Sequence, residues 1–180
     1  MNKSLKLGLK LLLITTVTGL LLAFTNNMTA PVIAERKAEE LKQSLAIVYP
    51  ADKYEEVEVE KPDTVTNVYK ASSADGDGYV FQINSPGGYG GNIEFLIGVD
   101  SENKITGFAP LSHSESAGFG QQMEEDAFKE GTVGFSIDSE VKASKTGGEN
   151  EIVGISGATI STTTILRGIN DARSVLEKLK

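Results

Sequence analysis

The chain has 180 residues, a formal net charge of −8 and no cysteine. Its length favours a single domain, and its acidity argues against nucleic acid as a partner, because phosphate contacts need Lys and Arg. The lack of thiols removes disulfides, thiolate metal sites, Fe–S ligation and a lipidated cysteine.

The N-terminus reads MNKSLKLGLKLLLITTVTGLLLAF. From Leu5 to Phe24 it is apolar apart from hydroxyls and two early lysines, and a bilayer span needs about 20 such residues. Lys3, Lys6 and Lys10 sit at its leading edge and the first acid is Glu35. The positive-inside bias therefore places the N-terminus in the cytoplasm and everything after the span outside. A cleaved signal peptide is the rival, but MTAPV is a poor cleavage site. Residues 1–27 are expected to be the cytoplasmic N-terminus and transmembrane anchor of a single-pass protein of the cell membrane. Residues 28–50 then form a connecting helix, with Ile33, Leu41, Leu45 and Val48 near helical spacing and Pro50 ending it. Residues 51–180 are the extracytoplasmic domain.

Residues 55–70 alternate and suggest one or two exposed strands. Tyr79–Ile83, Ile93–Val99 and Ile105–Leu111 are clearer strands, separated by the turn chemistry of NSPGGYGG and DSENK. Short turns between three strands imply an antiparallel meander. GFGQQMEEDAFKEG predicts a short helix closed by Gly131, with Glu124–Asp126 on a wet face. Residues 133–155 hold short strand-like pieces around the turn KTGGEN. Ile165, Ile169, Ala172, Leu176 and Leu179 form one stripe of an amphipathic C-terminal helix. The fold class is α+β: an antiparallel sheet flanked by helices, behind a transmembrane helix.

Just before that last helix stands GISGATISTTT, residues 154–164, with six hydroxyl side chains and two glycines. Helix capping by Ser156 or Thr159 accounts for one hydroxyl. Gly157 and Ala158 remove bulk where something can approach the backbone, and a helix N-terminus favours a phosphate. The residues alone describe a small, hydroxyl-rich anion cradle or a cap.

SGAT followed by IST resembles the flavinylation motif of the FMN-binding domain family found in the G subunit of the Rnf complex and the C subunit of the sodium-translocating NADH:quinone reductase. The resemblance implies FMN held covalently through a phosphoester on Thr159, with Ser156, Gly157, Ala158, Ile160 and Ser161 around it. A second match is LSHSESAGFG, residues 111–120. The family's His, Glu-Thr and Pro-Gly-Leu-Gly loop is met here by His113, Glu115, Ser116, Ala117, Gly118, Phe119 and Gly120. It implies a ring-side loop whose glycines admit the flavin and whose Glu115 and Ser116 hydrogen-bond its polar edge. His113 alone reads as an exposed loop residue. GYGGNI in the meander also fits the family. The chain departs from the pattern at Val153, where the family often has Asp, and at Ser116-Ala117, where it has Thr-Pro.

The resemblance further implies an electron-relay subunit of an ion-translocating ferredoxin:NAD oxidoreductase of Rnf type, not an enzyme by itself. Other membrane subunits of that complex are its partners, with a separate flavin transferase attaching the FMN. Two alternatives are the C subunit of the quinone reductase, and a membrane-anchored assembly module without flavin. Other patterns are weaker. SENK at 101–104 and KTG at 145–147 lack the third penicillin-binding element, GISGA lacks the last glycine of a nucleophile elbow, and DGDGY lacks the acid spacing of a calcium loop. Lys142 and Lys145 could neutralise a phosphate but read as solvated.

Overall fold

The computed structural model describes residues 3–74, 76–148 and 150–179. Asp75 of DGDGY, Glu149 of KTGGEN, the first two residues and Lys180 lie outside them. The chain divides into two compact units, Met1–Glu40 and Leu41–Lys180.

The first unit is carried by one helix, α1, running from Lys3 to Val48 without a break and so entering the second unit. The residues assigned from the sequence to the anchor and to the connecting helix lie on this one helix. Pro31 lies inside α1, and a proline removes one backbone donor without obliging the helix to stop. Among the described residues this is the one helix long and apolar enough to cross a membrane. Its leucines stand exposed from Leu5 to Leu22. Several threonines in and after this stretch bond to their own helix: Thr18 and Thr25 hydroxyls donate to the carbonyls of Ile14 and Leu21 at 2.8 and 2.9 Å. A hydroxyl bonded to its own helix can sit in hydrocarbon without an orphaned donor.

The second unit is built on a sheet of five antiparallel strands in sequential order. They are β1 (Lys53–Glu56), β2 (Val65–Ser73), β3 (Gly76–Gly88), β4 (Gly91–Val99) and β5 (Ile105–Ser112). The meander expected over 79–111 is present and gains two strands on one side. β2 is not an exposed strand. It pairs with both β1 and β3, and Val68 and Ala71 are fully buried. NSPGG is not turn but strand: β3 runs on to Gly88, leaving Tyr89 and Gly90 as the tight connection. Likewise Asp77–Tyr79 open β3.

After β5 the chain makes a 3-10 turn (Gly120–Glu124) and then α2 (Asp126–Glu130), two pieces broken at the extended Glu125 where one helix was expected. A short parallel pair follows, β6 (Lys142–Ser144) with β7 (Glu151–Val153), and then α3 (Thr159–Leu179).

Each face of the five-stranded sheet is apolar, because side chains alternate along every strand. One face carries Phe81, Ile83, Phe95, Ile97 and Phe108 and is covered by α3 through Ile165, Ile169, Ala172 and Leu176, with Leu179 half-buried beside them. The expected stripe is therefore the buried one. Phe108 joins the parts of this core, its ring 5.2 Å from Phe95 and 5.5 Å from Phe128 of α2. A buried Ser85 hydroxyl donates to the Thr164 carbonyl at 2.7 Å, fastening β3 to α3. The other face carries Ala71, Val80, Leu96 and Ala109 and is covered by Leu45, Val48 and Tyr49 at the end of α1. Gly98 and Gly107 are cross-strand partners there. A Cβ on Gly107 would lie 2.6 Å from the Val48 Cα, so the helix end rests directly on the sheet backbone.

Candidate functional site

Three segments meet at the end of the sheet where β3 turns into β4. The Tyr89–Gly90 turn supplies one wall, the loop after β5 a second, and the first turn of α3 the third. Together they enclose a cavity of about 480 Å³ lined by Tyr89, Glu115, Ser116, Phe119, Gly120 and residues Gly157 through Ser161. A pocket of that size suits a cofactor or drug-sized ligand. Its aromatic edges are open to solvent: Tyr89 is 72% and Phe119 55% exposed.

The α3 wall is shaped by small residues. Gly157 has φ +76°, the left-handed region, and a Cβ there would come within 3.2 Å of the Phe119 ring. The first intrahelical bond runs from Thr162 N–H to the Ala158 carbonyl at 3.0 Å, which makes Ala158 the N-cap. Capping by Ser156 or Thr159 was expected and does not occur. A methyl cannot accept a hydrogen bond, so the N–H groups of Thr159, Ile160 and Ser161 are left to whatever enters the cavity. They lie at the positive end of the helix dipole.

The six hydroxyls of 154–164 separate by burial and bonding. Thr162 is buried, donates to the Ala158 carbonyl and accepts from Ile155 N–H, both at 3.0 Å. Thr163 donates to the Thr159 carbonyl at 2.8 Å. Thr164 is 1% exposed. Ser161, also 1% exposed, donates to Glu115 Oε2 at 2.5 Å. Ser156 is exposed but does not line the cavity. Thr159 is exposed and lines it.

On the loop wall, Glu115 Oε1 accepts the Gly90 N–H at 3.0 Å. The Glu115 carboxylate thus lines the cavity, as the sequence suggested, and is also held by protein donors. His113 does not line the cavity. Its side chain is only 8% exposed, contrary to a free loop residue. Nδ1 accepts the Glu115 N–H at 3.2 Å, and Nε2 lies 3.0 Å from Glu124 Oε1. With Nδ1 accepting, Nε2 carries the proton and donates to Glu124. Gly118 also stays out of the lining; its φ of +75° makes the bend that returns the chain to Gly120.

Residues 88–174 match the FMN-binding domain family, and residues 1–48 match the RnfG N-terminal region. The first span contains every residue lining the cavity, and the second has almost the bounds of α1. The chain is 30% identical to the G subunit of the ion-translocating oxidoreductase complex of Methanosarcina acetivorans, covering 93% of this chain and 91% of that one. The chain belongs to the RnfG family, the G subunits of ion-translocating oxidoreductase complexes. Another member, the G subunit of the Na(+)-translocating ferredoxin:NAD(+) oxidoreductase complex of Acetobacterium woodii, is 29% identical over 97% of this chain and 92% of its own. The fold is also that of the crystallised C subunit of the Na(+)-translocating NADH-quinone reductase from Parabacteroides distasonis, at TM-score 0.54 and 22% identity over 63% of this chain and 62% of that one.

As an RnfG protein, the chain carries an FMN-binding domain and is anchored in the membrane by α1. Of the residues predicted from the sequence, Glu115, Ser116, Gly120, Gly157, Ala158, Thr159, Ile160 and Ser161 come together around the cavity, while Ser156, His113 and Gly118 are not in its lining. Phe119 and Tyr89 fall within the LSHSESAGFG and GYGGNI matches, but neither was given a part in the site. Their signal was available: each is an aromatic set among glycines in a loop, where no core could use it.

Proposed function

We propose that FMN is held covalently in this cavity through a phosphoester on Thr159, and that the chain relays electrons within an Rnf-type ion-translocating ferredoxin:NAD oxidoreductase complex. The observation that carries the reading is the sorting of the hydroxyls. Among the six, Thr159 combines exposure, a place in the cavity wall and an oxygen not committed to another group among the described residues. Ser161, Thr162 and Thr163 are already engaged.

The residues fit the group. A phosphodiester on Thr159 Oγ would lie over the uncapped N–H groups of α3, which favour an anion. Gly157 and Ala158 leave room beside it. Tyr89 and Phe119 offer aromatic faces to a flat ring, and Ile160 an apolar edge. The FMN when bound supplies the redox chemistry, and the protein sets its distance, exposure and electrostatic surroundings. For attachment, Thr159 Oγ would bond to the flavin-side phosphorus of a flavin dinucleotide and displace AMP, giving up its hydroxyl proton to a base of a separate flavin transferase. The cavity needs no catalytic base of its own for that step.

The sodium- and ferredoxin-linked name belongs to the Acetobacterium woodii relative; the electron relay and the other membrane subunits as partners are carried to this chain as part of the proposal. So is the orientation, with the N-terminus cytoplasmic and the domain outside, which rests on Lys3, Lys6 and Lys10 preceding the span.

Intact mass of the chain from its native membrane, followed by peptide mapping, tests the reading. The expected result is a gain of one FMN minus water on the peptide containing Thr159. An unmodified mass would overturn the covalent assignment.

A further inference from the structure

We infer that Glu115 is a positioning residue: its carboxylate is a strut that fixes the gap between the Tyr89 turn and the first turn of α3, and so sets the width of the cavity. The inference deepens the flavin reading but rests on geometry that holds with or without a cofactor.

The two carboxylate oxygens are divided between two walls. Oε1 accepts from Gly90 N–H, the residue beside Tyr89. Oε2 accepts from the Ser161 hydroxyl, two residues after Thr159, at 2.5 Å. The third wall is Glu115's own loop, and His113 Nδ1 holds its backbone N–H. One carboxylate therefore ties all three walls together, through charge-assisted bonds that are roughly twice as strong as neutral ones.

The surroundings are built to let it reach. A Cβ on Gly88 would lie 2.6 Å from Glu115 Oε1, and one on Gly120 would collide with Glu115 Oε2 and the Ser161 hydroxyl. On Gly90 it would overlap the Ser114 carbonyl. Three glycines from two walls thus surround this side chain and its loop at contact distance. Gly88 is also crowded by the Gly91 carbonyl and Gly90 by the Ser114 backbone, but at Gly120 the near atoms are the Glu115 side chain and its Ser161 partner. Ser161 is nearly fully buried, so its hydroxyl has no water to fall back on, and losing the carboxylate would orphan it.

Besides this carboxylate, the turn is held by the ladder of β3 and β4, by the Arg167 guanidinium of α3 donating to the Pro86 carbonyl at 3.0 Å just before it, and by close packing of Gly90 on the Ser114 backbone; the carboxylate adds a direct tie from Gly90 to Ser161.

Hydrogen exchange on the full-length chain in detergent tests this, in a Thr159→Val background so that the readout does not depend on flavin. Glu115→Ala should raise exchange in the peptide containing Gly90 by about tenfold, and should also raise it at the start of α3. Glu115→Gln keeps the length and one acceptor for Gly90, while its amide can donate to Ser161; it should stay within about twofold of the parent. Glu115→Asp keeps the charge but is one methylene short of spanning both partners, and should release at least one wall. This third variant also covers the case in which Glu115→Ala fails to fold. Equal exchange in the parent and in Glu115→Asp, or a Glu115→Gln variant as open as Glu115→Ala, would overturn the strut. A missing FMN adduct at Thr159 in the wild-type chain would overturn the flavin reading alone and leave this result standing.

Discussion

The Thr106 hydroxyl donates to the carbonyl of Val48 at 2.6 Å, closing the last turn of α1 onto strand β5. Val48 is fully buried, so this carbonyl has no access to water, and the last carbonyls of any helix lack intrahelical donors. Thr106→Val keeps the shape and removes the donor. We expect it to cost about 1–3 kcal/mol, the penalty for an orphaned buried acceptor, while Thr106→Ser stays close to wild type. Denaturant unfolding of the two variants checks the difference.

Gly168 poses a contest between two effects of opposite sign. On α3 an alanine should gain up to about 1 kcal/mol in helix propensity. Here its Cβ would lie 2.6 Å from Ile83 Cγ2 and 2.9 Å from Phe95 Cζ. Overpacking of that kind costs about 1–3 kcal/mol, so Gly168→Ala should be net destabilising. A melting temperature that rises would mean that the α3–sheet contact has slack.

Thr159→Val replaces one hydroxyl by a methyl at an exposed site and should leave the fold intact while abolishing flavin that survives denaturation. Thr163→Val, one turn further along and outside the cavity lining, should keep it. In-gel flavin fluorescence reads both. A yellow band from Thr159→Val would move the acceptor elsewhere.

Gly157→Ala would force a Cβ onto a φ of +76° and against the Phe119 ring. The left-handed conformation alone costs about 1–2 kcal/mol for a non-glycine residue. For a domain of this size that lowers Tm by roughly 2–8 °C. Flavin incorporation should fall as well, because the residue forms the cavity wall beside Thr159. Melting and fluorescence that both match wild type would show that this wall yields freely.

The end of α1 sets where a soluble fragment can start. A chain lacking residues 1–27 retains Leu45, Val48 and Tyr49 over the second face of the sheet and should be a folded, monomeric domain. One starting at Ala51 uncovers Val80, Leu96 and Ala109, and an exposed apolar sheet face favours aggregation. Gel filtration of the two fragments distinguishes them.

Much of this was legible from the residues. The C-terminal stripe, the three strands of 79–111 and the SGAT and Glu-Ser loops depend on local pattern, and local pattern survives into the fold. What escaped is tertiary. β2 alternates like an exposed strand, yet the end of α1 covers its Ala71, a long-range contact readable in neither segment. PGG ahead of Tyr89 has turn chemistry and is where the β3–β4 register shifts, yet β3 continues through it because pairing resumes at Gly88 with Gly91. The glutamate of the second motif does line the cavity, but nothing local reveals that Ser161 and Gly90 also bond to it.

The sheet carries α1's end and the cavity at different heights along the same strand. Val48 rests on Gly98, while the turn that bears Tyr89 leads into Gly91. At about 3.3 Å per residue the seven intervening steps of β4 span roughly 23 Å. That reach cannot be tuned continuously. Adding or removing one residue in β4 would turn every later side chain to the opposite face, exchanging the surface under α3 with the surface under Val48. Unless a further bulge absorbs the change, as the register shifts at Glu94/Phe95 and Gly98/Val99 already do, the separation between helix end and cavity changes in two-residue increments of about 6.6 Å.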